Sequence, residues 1–247
     1  CIPQVNQEFM IVGVGALGSQ LLINLGRMGW GRWTVIDHDV LLPHNLARHV
    51  LPQAAIGYPK AISVAGLINE IFANETIAES LAVNILENNQ PEKLREAIDK
   101  AETIIDVAAS IAASRFLVHD INSQARRVSV FLNPTATDLV VIAEDVKRTF
   151  WLDALEMQYY RGILHEPSLQ GHLAQNLSRL RYANSCRDIS VSMPQDLVAL
   201  HGAIGSQAIR LLNQDSNQAL WIWQTHSNDL SVSKVILPTT ESVRISI

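Results

Sequence analysis

Hydrophobic and polar positions along the chain switch repeatedly between short apolar runs and a helical spacing. An apolar run over residues 9–12 leads into Gly13-Val14-Gly15-Ala16-Leu17-Gly18, and Gln20-Leu21-Leu22-Ile23-Asn24-Leu25-Gly26 then places apolar residues at helical intervals. That order predicts a strand, a glycine turn and a helix. A second β-like stretch over 33–36 ends in the acidic pair Asp37 and Asp39. The alternation then predicts helices over 59–72, 91–100 and 111–121, interleaved with strands over 76–84, 103–107 and 128–132. Such an order implies an α/β fold: a mainly parallel sheet with helices on both faces and ligands at the carboxyl ends of the strands.

From residue 137 the pattern changes. It predicts a strand over 139–143, helices over roughly 150–162 and 169–180, and a longer helix over 195–212. Two alternating stretches, 219–224 and 230–237, flank Ser227-Asn228-Asp229 and predict antiparallel strands added to the parallel sheet. No Pro/Gly/Ser-rich linker divides the halves, so residues 1–247 are expected to form one domain, with halves 1–135 and 136–247. The polar stretch 166–187 reads as a surface crossover.

Composition narrows the class. The 247-residue chain is 48% hydrophobic and 17% charged, which supports a substantial core and excludes a disordered, collagen-like or coiled-coil chain. Its net charge of -5 leaves no basic surplus for phosphate neutralisation, so no nucleic-acid partner is expected. No apolar run reaches the ~18 residues of a membrane span, and no membrane partner is expected. Two cysteines, Cys1 and Cys186, exclude a disulfide framework and a four-cysteine zinc site, and point to a reducing, cytoplasmic compartment. The Met-less start Cys1-Ile2-Pro3 and the strand-like end Val243-Arg244-Ile245-Ser246-Ile247 suggest a piece of a longer protein.

The glycine spacing lets backbone approach phosphates and aims helix N-terminal N–H groups at negative charge. Asp37 follows Gly13 by 24 residues, near the ~20 expected for an acid that binds ribose hydroxyls. This turn alone serves a nicotinamide enzyme or an ATP-using one equally well. Asn45, Arg48 and Lys60 lie just beyond the acids, where a triphosphate would extend. A triphosphate losing pyrophosphate needs such cations to hold the developing charge, whereas a dehydrogenase needs only a diphosphate cradle. Arg and Lys are also the commonest plain surface charges.

GVGALGS, IDHDVLLPHNLARHVL and GYPKA, in this order, resemble the nucleotide-site signature of ThiF-type adenylating enzymes, which include activators of sulfur-carrier proteins and ubiquitin-activating enzymes. The family pattern is Gly-x-Gly-Gly-Leu-Gly, Asp-x-Asp, Asn-x-x-Arg, then Gly-x-Pro-Lys. The resemblance covers residues 11–133 and returns more loosely at Ser185-Cys186-Arg187 and at residues 201–208. It implies a Rossmann-like fold in which Gly13, Gly15 and Gly18 pack against ATP, with Ala16 where the family usually has another glycine. Asp39 would bind the ribose, Asp37 would support the strand end, and Asn45, Arg48 and Lys60 would hold phosphates. The implied reaction is attack by the C-terminal glycine carboxylate of a ubiquitin-like or sulfur-carrier protein on the α-phosphate of ATP. The resemblance also implies Mg²⁺ and a homodimer.

Three departures from the pattern stand out. The family's Asp-x-x-Asp-Asn is matched only at Asp106, with Ala109 or Ser110 in place of the second, Mg²⁺-binding Asp. Asp106 is therefore the substitute metal candidate, with helix capping as the alternative. The family's basic segment ahead of the first strand is not found in the sequence, so either it lies upstream in a longer protein or the cation comes from elsewhere, and no paired CxxC motifs are present for zinc. Cys186, in polar surroundings beside Arg187 and ahead of a helix, reads as a nucleophile for thioester or sulfur transfer. The eight histidines, His38, His44 and His49 among them, read as scattered surface residues, and Trp30/Trp33, Tyr159/Tyr160 and Trp221/Trp223 as packing. An NAD-dependent oxidoreductase and a nucleotide-binding scaffold with lapsed catalysis remain as alternatives.

Overall fold

The structure, a computed structural model, describes residues 5–72, 75–174, 180–182, 189–191 and 193–240. In chain order, β1 (Val5–Val12) passes through the glycine turn into α1 (Ala16–Arg27), followed by β2 (Trp30–Ile36), α2 (Lys60–Asn69) and β3 (Ala78–Leu81). Then come α3 (Glu92–Lys100), β4 (Thr103–Asp106), α4 (Ile111–His119), β5 (Arg126–Leu132), β6 (Asp138–Ala143) and α5 (Leu152–His165). A small ladder of β7 (Leu180–Tyr182) and β8 (Ile189–Val191) precedes α6 (Gln195–Gln214), β9 (Ala219–Thr225) and β10 (Val232–Ile236).

Eight strands form one sheet in the order β10-β9-β6-β5-β4-β1-β2-β3. Pairing is parallel from β3 through β5, and antiparallel from β5 through β6 and β9 to β10. This is the expected α/β sheet with its antiparallel extension. The period-2 pattern of β1 sends Phe9 and Ile11 into a core with α1, α2 and α6, and Met10 and Val12 into a core with α3 and α4. A third core packs α5 on β6 and β9. Each fully buried leucine of α1, such as Leu21, Leu22 and Leu25, contributes roughly 1.5–3 kcal/mol. Val12 pairs with Ile36 on one side and Asp106 on the other, so the glycine turn, Asp37 and Asp106 emerge together at the strands' carboxyl ends.

Buried charge closes the opposite end of the sheet. Arg126, at the start of β5, donates to the carbonyls of Glu144, Leu212, Asp215 and Asn217, gathering the β6 terminus and the free carbonyls at the end of α6. Arg127 donates to Leu117, Ser123, Ala125 and Ile121 carbonyls, and burial lowers its guanidinium to about 10, so it stays charged at neutral pH. Glu144, with no exposed surface, accepts from the Arg127 amide at 3.1 Å, Arg148 Nε at 2.7 Å and the Leu152 amide at 3.0 Å.

Two predicted elements differ. The helix expected over 169–180 is absent over its described part, where a 3₁₀ turn (Pro167–Leu169) runs into further turns and β7 starts at Leu180. Tertiary contacts override the local pattern there: Gly171 takes φ +82° and His172 is drawn into the core. Its Nδ1 donates to Asp138 at 2.5 Å, its Nε2 lies 2.8 Å from the Tyr159 hydroxyl, and its carbonyl accepts from Asn133. The strand expected over 76–84 shortens to Ala78–Leu81, because beyond Leu81 the neighbouring β2 has ended.

Replacing Glu144 by Ala strands the buried Arg127 and Arg148 charges and should lower unfolding free energy by about 3–5 kcal/mol. A urea titration measures this directly as a reduced midpoint.

Candidate functional site

The glycine turn is shaped by contacts that only glycine tolerates at two positions. Gly13 adopts φ +89°, and a Cβ there would lie 2.6 Å from Ala108 Cα. A Cβ on Gly18 would lie 2.1 Å from the Gly13 carbonyl oxygen, so the first turn of α1 sits directly on the loop. Gly15 differs: a Cβ there would meet nothing within 4 Å, because it faces a cavity. Gly15 also begins α1 without a side-chain cap, which leaves the helix's first N–H groups available to an anion.

Asp37 binds this loop to the acidic segment. Its Oδ2 accepts from the Val14 amide and its Oδ1 from the Asp39 amide, both at 2.8 Å. Asp39 accepts in turn from Lys60 Nζ at 2.8 Å, with the lysine nearly buried and the carboxylate about half exposed. The Lys60 amide donates to the Asp39 carbonyl, so α2 starts against the acid.

The cavity, about 360 Å³, is lined by Gly13, Gly15, Ala16, Asp37, Asp39, Arg48 and Lys60, together with apolar Val83, Ile85 and Leu86. Among the described residues, the Arg48 guanidinium has no carboxylate partner, which leaves it open to an anionic ligand. Asn45 is not part of this lining. Its side chain turns back along the chain and accepts from the Leu42 amide at 2.9 Å, shaping the 3₁₀ turn (Pro43–Ala47) that carries Arg48.

Asp106 lies next door, lining a second cavity of about 200 Å³ that shares Ala109, Ser110, Val130, Phe131 and Leu132 with the first. Burial raises its carboxyl to about 6, against the Ala108 amide that donates to it at 3.0 Å, and nearby Glu156 adds to the rise. Helix capping belongs instead to Ser110, which accepts from the Ala113 amide at 3.3 Å. Ala109, which with Ser110 is one of the two residues expected in place of the family's second Asp, holds φ +52°, a left-handed conformation costing an alanine roughly 1–2 kcal/mol. Glu156 of α5 lines the same cavity and pairs with Arg115 at 2.8 Å.

His49 corrects the reading of the histidines as surface residues. It is only 7% exposed, with Nε2 2.8 Å from the Val14 carbonyl and Nδ1 accepting from the Leu51 amide. His38 and His44 are exposed as expected. The ligand atoms of Asp37, His38 and Asp39 lie within 4.8 Å of one another, but both Asp37 oxygens and one Asp39 oxygen are already bonded. Cys186 and Arg187 lie outside the described residues. Ser110 carried a readable signal, a serine ahead of a helical run, whereas nothing local marked His49 or Glu156.

The ThiF family profile matches residues 5–142, more than half the chain. The chain belongs to the ThiF family. This ThiF chain is 32% identical over 117 residues to an Arabidopsis thaliana protein named adenylyltransferase and sulfurtransferase MOCS3, covering 47% of this chain and 24% of that protein. It is 34% identical over 67 residues to an Enterobacter hormaechei protein named ATP-dependent ubiquitin transferase-like protein Cap2, covering 27% of this chain and 11% of the relative. The chain thus spans less than a quarter of these relatives' length. Escherichia coli MccB, solved with AMPCPP and MccA, superposes with a TM-score of 0.65 at 14% identity, covering 95% of this chain and 65% of MccB. That likeness shows a shared fold.

The two glycines should separate by experiment. Gly13→Ala meets both a strained φ and a backbone clash and should lower stability by more than about 1 kcal/mol. Gly15→Ala should leave the thermal midpoint nearly unchanged, because its methyl group enters open space.

Proposed function

We propose that residues 1–247 form one adenylating domain, which uses ATP to activate the C-terminal glycine carboxylate of a ubiquitin-like or sulfur-carrier protein. The observation that carries this reading is the convergence of the glycine turn, Asp39, Arg48 and Lys60 on one cavity at the carboxyl ends of the parallel strands. Membership of the ThiF family supports it, as do the names of the relatives and the MccB structures solved with ATP and with AMPCPP and MccA.

In this reading the phosphates of ATP lie across the open face of Gly15 and the N-terminus of α1, where N–H groups and the helix dipole favour negative charge. Ribose hydroxyls donate to Asp39, whose orientation Lys60 holds. Arg48 and Lys60 neutralise the phosphates so that an anionic carboxylate can approach. The carboxylate oxygen forms a bond to the α-phosphorus, the bond to the pyrophosphate oxygen breaks, and an acyl adenylate results. A Cys186 thiolate then attacks the acyl carbon, forming a thioester and releasing AMP. Asn45 acts on phosphate through the turn it shapes.

Asp106 fits a magnesium ion through one feature of the site: a buried carboxyl with a raised pKa and no cation partner among the described residues. It would hold the ion, with phosphate oxygens and waters completing the shell. Mg²⁺ supplies charge neutralisation at the phosphates. We extend the reading to a homodimer in the cytoplasm.

The test is ATP–pyrophosphate exchange with carrier proteins ending in Gly-Gly, read alongside mass spectrometry. Arg48→Ala or Lys60→Ala should cut exchange by about 10²-fold or more. Cys186→Ala should retain exchange and lose the reducible adduct. ATP binding without exchange for any partner would leave a scaffold with lapsed catalysis, the outcome that Ala109 or Ser110 in place of the second Asp makes worth testing, and tight NAD(H) binding without ATP affinity would overturn the reading. Asp106→Asn should weaken Mg²⁺-dependent exchange yet raise the thermal midpoint of the ligand-free protein at pH 7. At that pH the wild-type carboxyl, above its value of about 6, is ionised, buried and unpaired.

A further inference from the structure

The peptide of Val14, at the middle of the glycine turn, is held at both of its polar groups. Its N–H donates to Asp37 Oδ2, and its carbonyl lies 2.8 Å from Nε2 of His49. A carbonyl can only accept, so Nε2 carries the hydrogen. On the other side of the ring, Nδ1 accepts from the Leu51 amide at 3.2 Å and must be unprotonated. His49 therefore sits as one neutral tautomer that bridges the glycine turn and the segment immediately after Arg48.

We propose that His49 is a positioning residue for the nucleotide cavity, setting the placement of Arg48 against the glycine turn and making that placement sensitive to acid. This rests on the nucleotide reading above and adds to it a residue outside the cavity lining. A second proton on the ring would sit on Nδ1, facing the Leu51 N–H donor, and one of the two bonds would be lost. The charged and titratable groups facing the ring are Lys60, which disfavours a positive imidazole, and Asp37, which favours it. Burial is the largest influence and holds the histidine below its ordinary value. The neutral bridge is therefore complete above about pH 6.5 and is lost as pH falls through the lowered value of the folded protein. The sign follows from proton counts: the opened loop binds more protons than the closed one, so acid favours opening.

Glutamine offers the same donor and acceptor without titrating, which separates bridging from mere space filling. Two measurements on the 247-residue chain test the proposal. In ligand-free protein, hydrogen exchange of peptides spanning residues 13–19 and 49–52, corrected for intrinsic rates, should speed up between pH 7.5 and 5.5 in wild type. In H49Q it should not, and in H49A it should be fast at both pH values. ATP affinity by calorimetry at pH 7.5 should fall about tenfold in H49A, the scale of one net hydrogen bond, with H49Q recovering most of the loss. On acidification, wild type should lose more affinity than H49Q. Equal pH profiles of exchange in wild type and H49Q, or unchanged loop protection in H49A, would overturn the role of His49. Failure of wild type to bind ATP at all would strike the nucleotide reading, while loop exchange would still decide the histidine.

Discussion

Both oxygens of Asp37 are spent on backbone amides, one in the glycine turn after β1 and one at Asp39 after β2. A carboxylate committed in this way joins two strand ends that share no sequence neighbourhood, and the rest of the site is assembled on that join. Asp39, fixed by its own amide, is where Lys60 docks, and the Lys60 amide returns to the Asp39 carbonyl. The Val14 peptide that Asp37 holds from one side His49 holds from the other, so the Arg48 segment is tied into the same frame. Charge-assisted bonds to backbone N–H are stronger than neutral ones, which suits a turn in which Val14 packs into the core between two glycines that have no side chain to pack.

The two ends of the sheet use charge in opposite ways. At the amino ends of the parallel strands, Arg126, Arg127, Glu144 and Arg148 consume one another's hydrogen-bonding capacity and that of nearby carbonyls. At the carboxyl ends, Asp106 is buried with one amide for company, Arg48 has no carboxylate among the described residues, and Ala109 holds a strained backbone. Satisfied charge locks a fold, whereas unsatisfied charge and strain are tolerated where a ligand completes the environment.

Much of this was legible in one dimension. Strand, glycine turn, helix and acid follow one another within forty residues, and local contacts within βαβ units reproduce that order in space. The antiparallel hairpin of β9 and β10 was equally readable from alternation and a polar turn. The positions whose contacts were not legible share a different cause. His172 leaves its expected helix because Asp138 and Tyr159, distant in sequence, receive its ring. Asn45, an amide that looks made for phosphate, satisfies the amide of Leu42, three residues upstream. His49 is buried because the carbonyl it meets lies 35 residues away.

The order of elements, the mainly parallel sheet, the family and the residue types of the nucleotide cavity were determined by the sequence, because hydrophobic periodicity and glycine chemistry act over a few residues. Only the tertiary structure decided which polar groups face the cavity and which are consumed in building it. A hydrogen bond depends on geometry within a few tenths of an ångström, and that geometry comes from strands and loops brought together from distant parts of the chain.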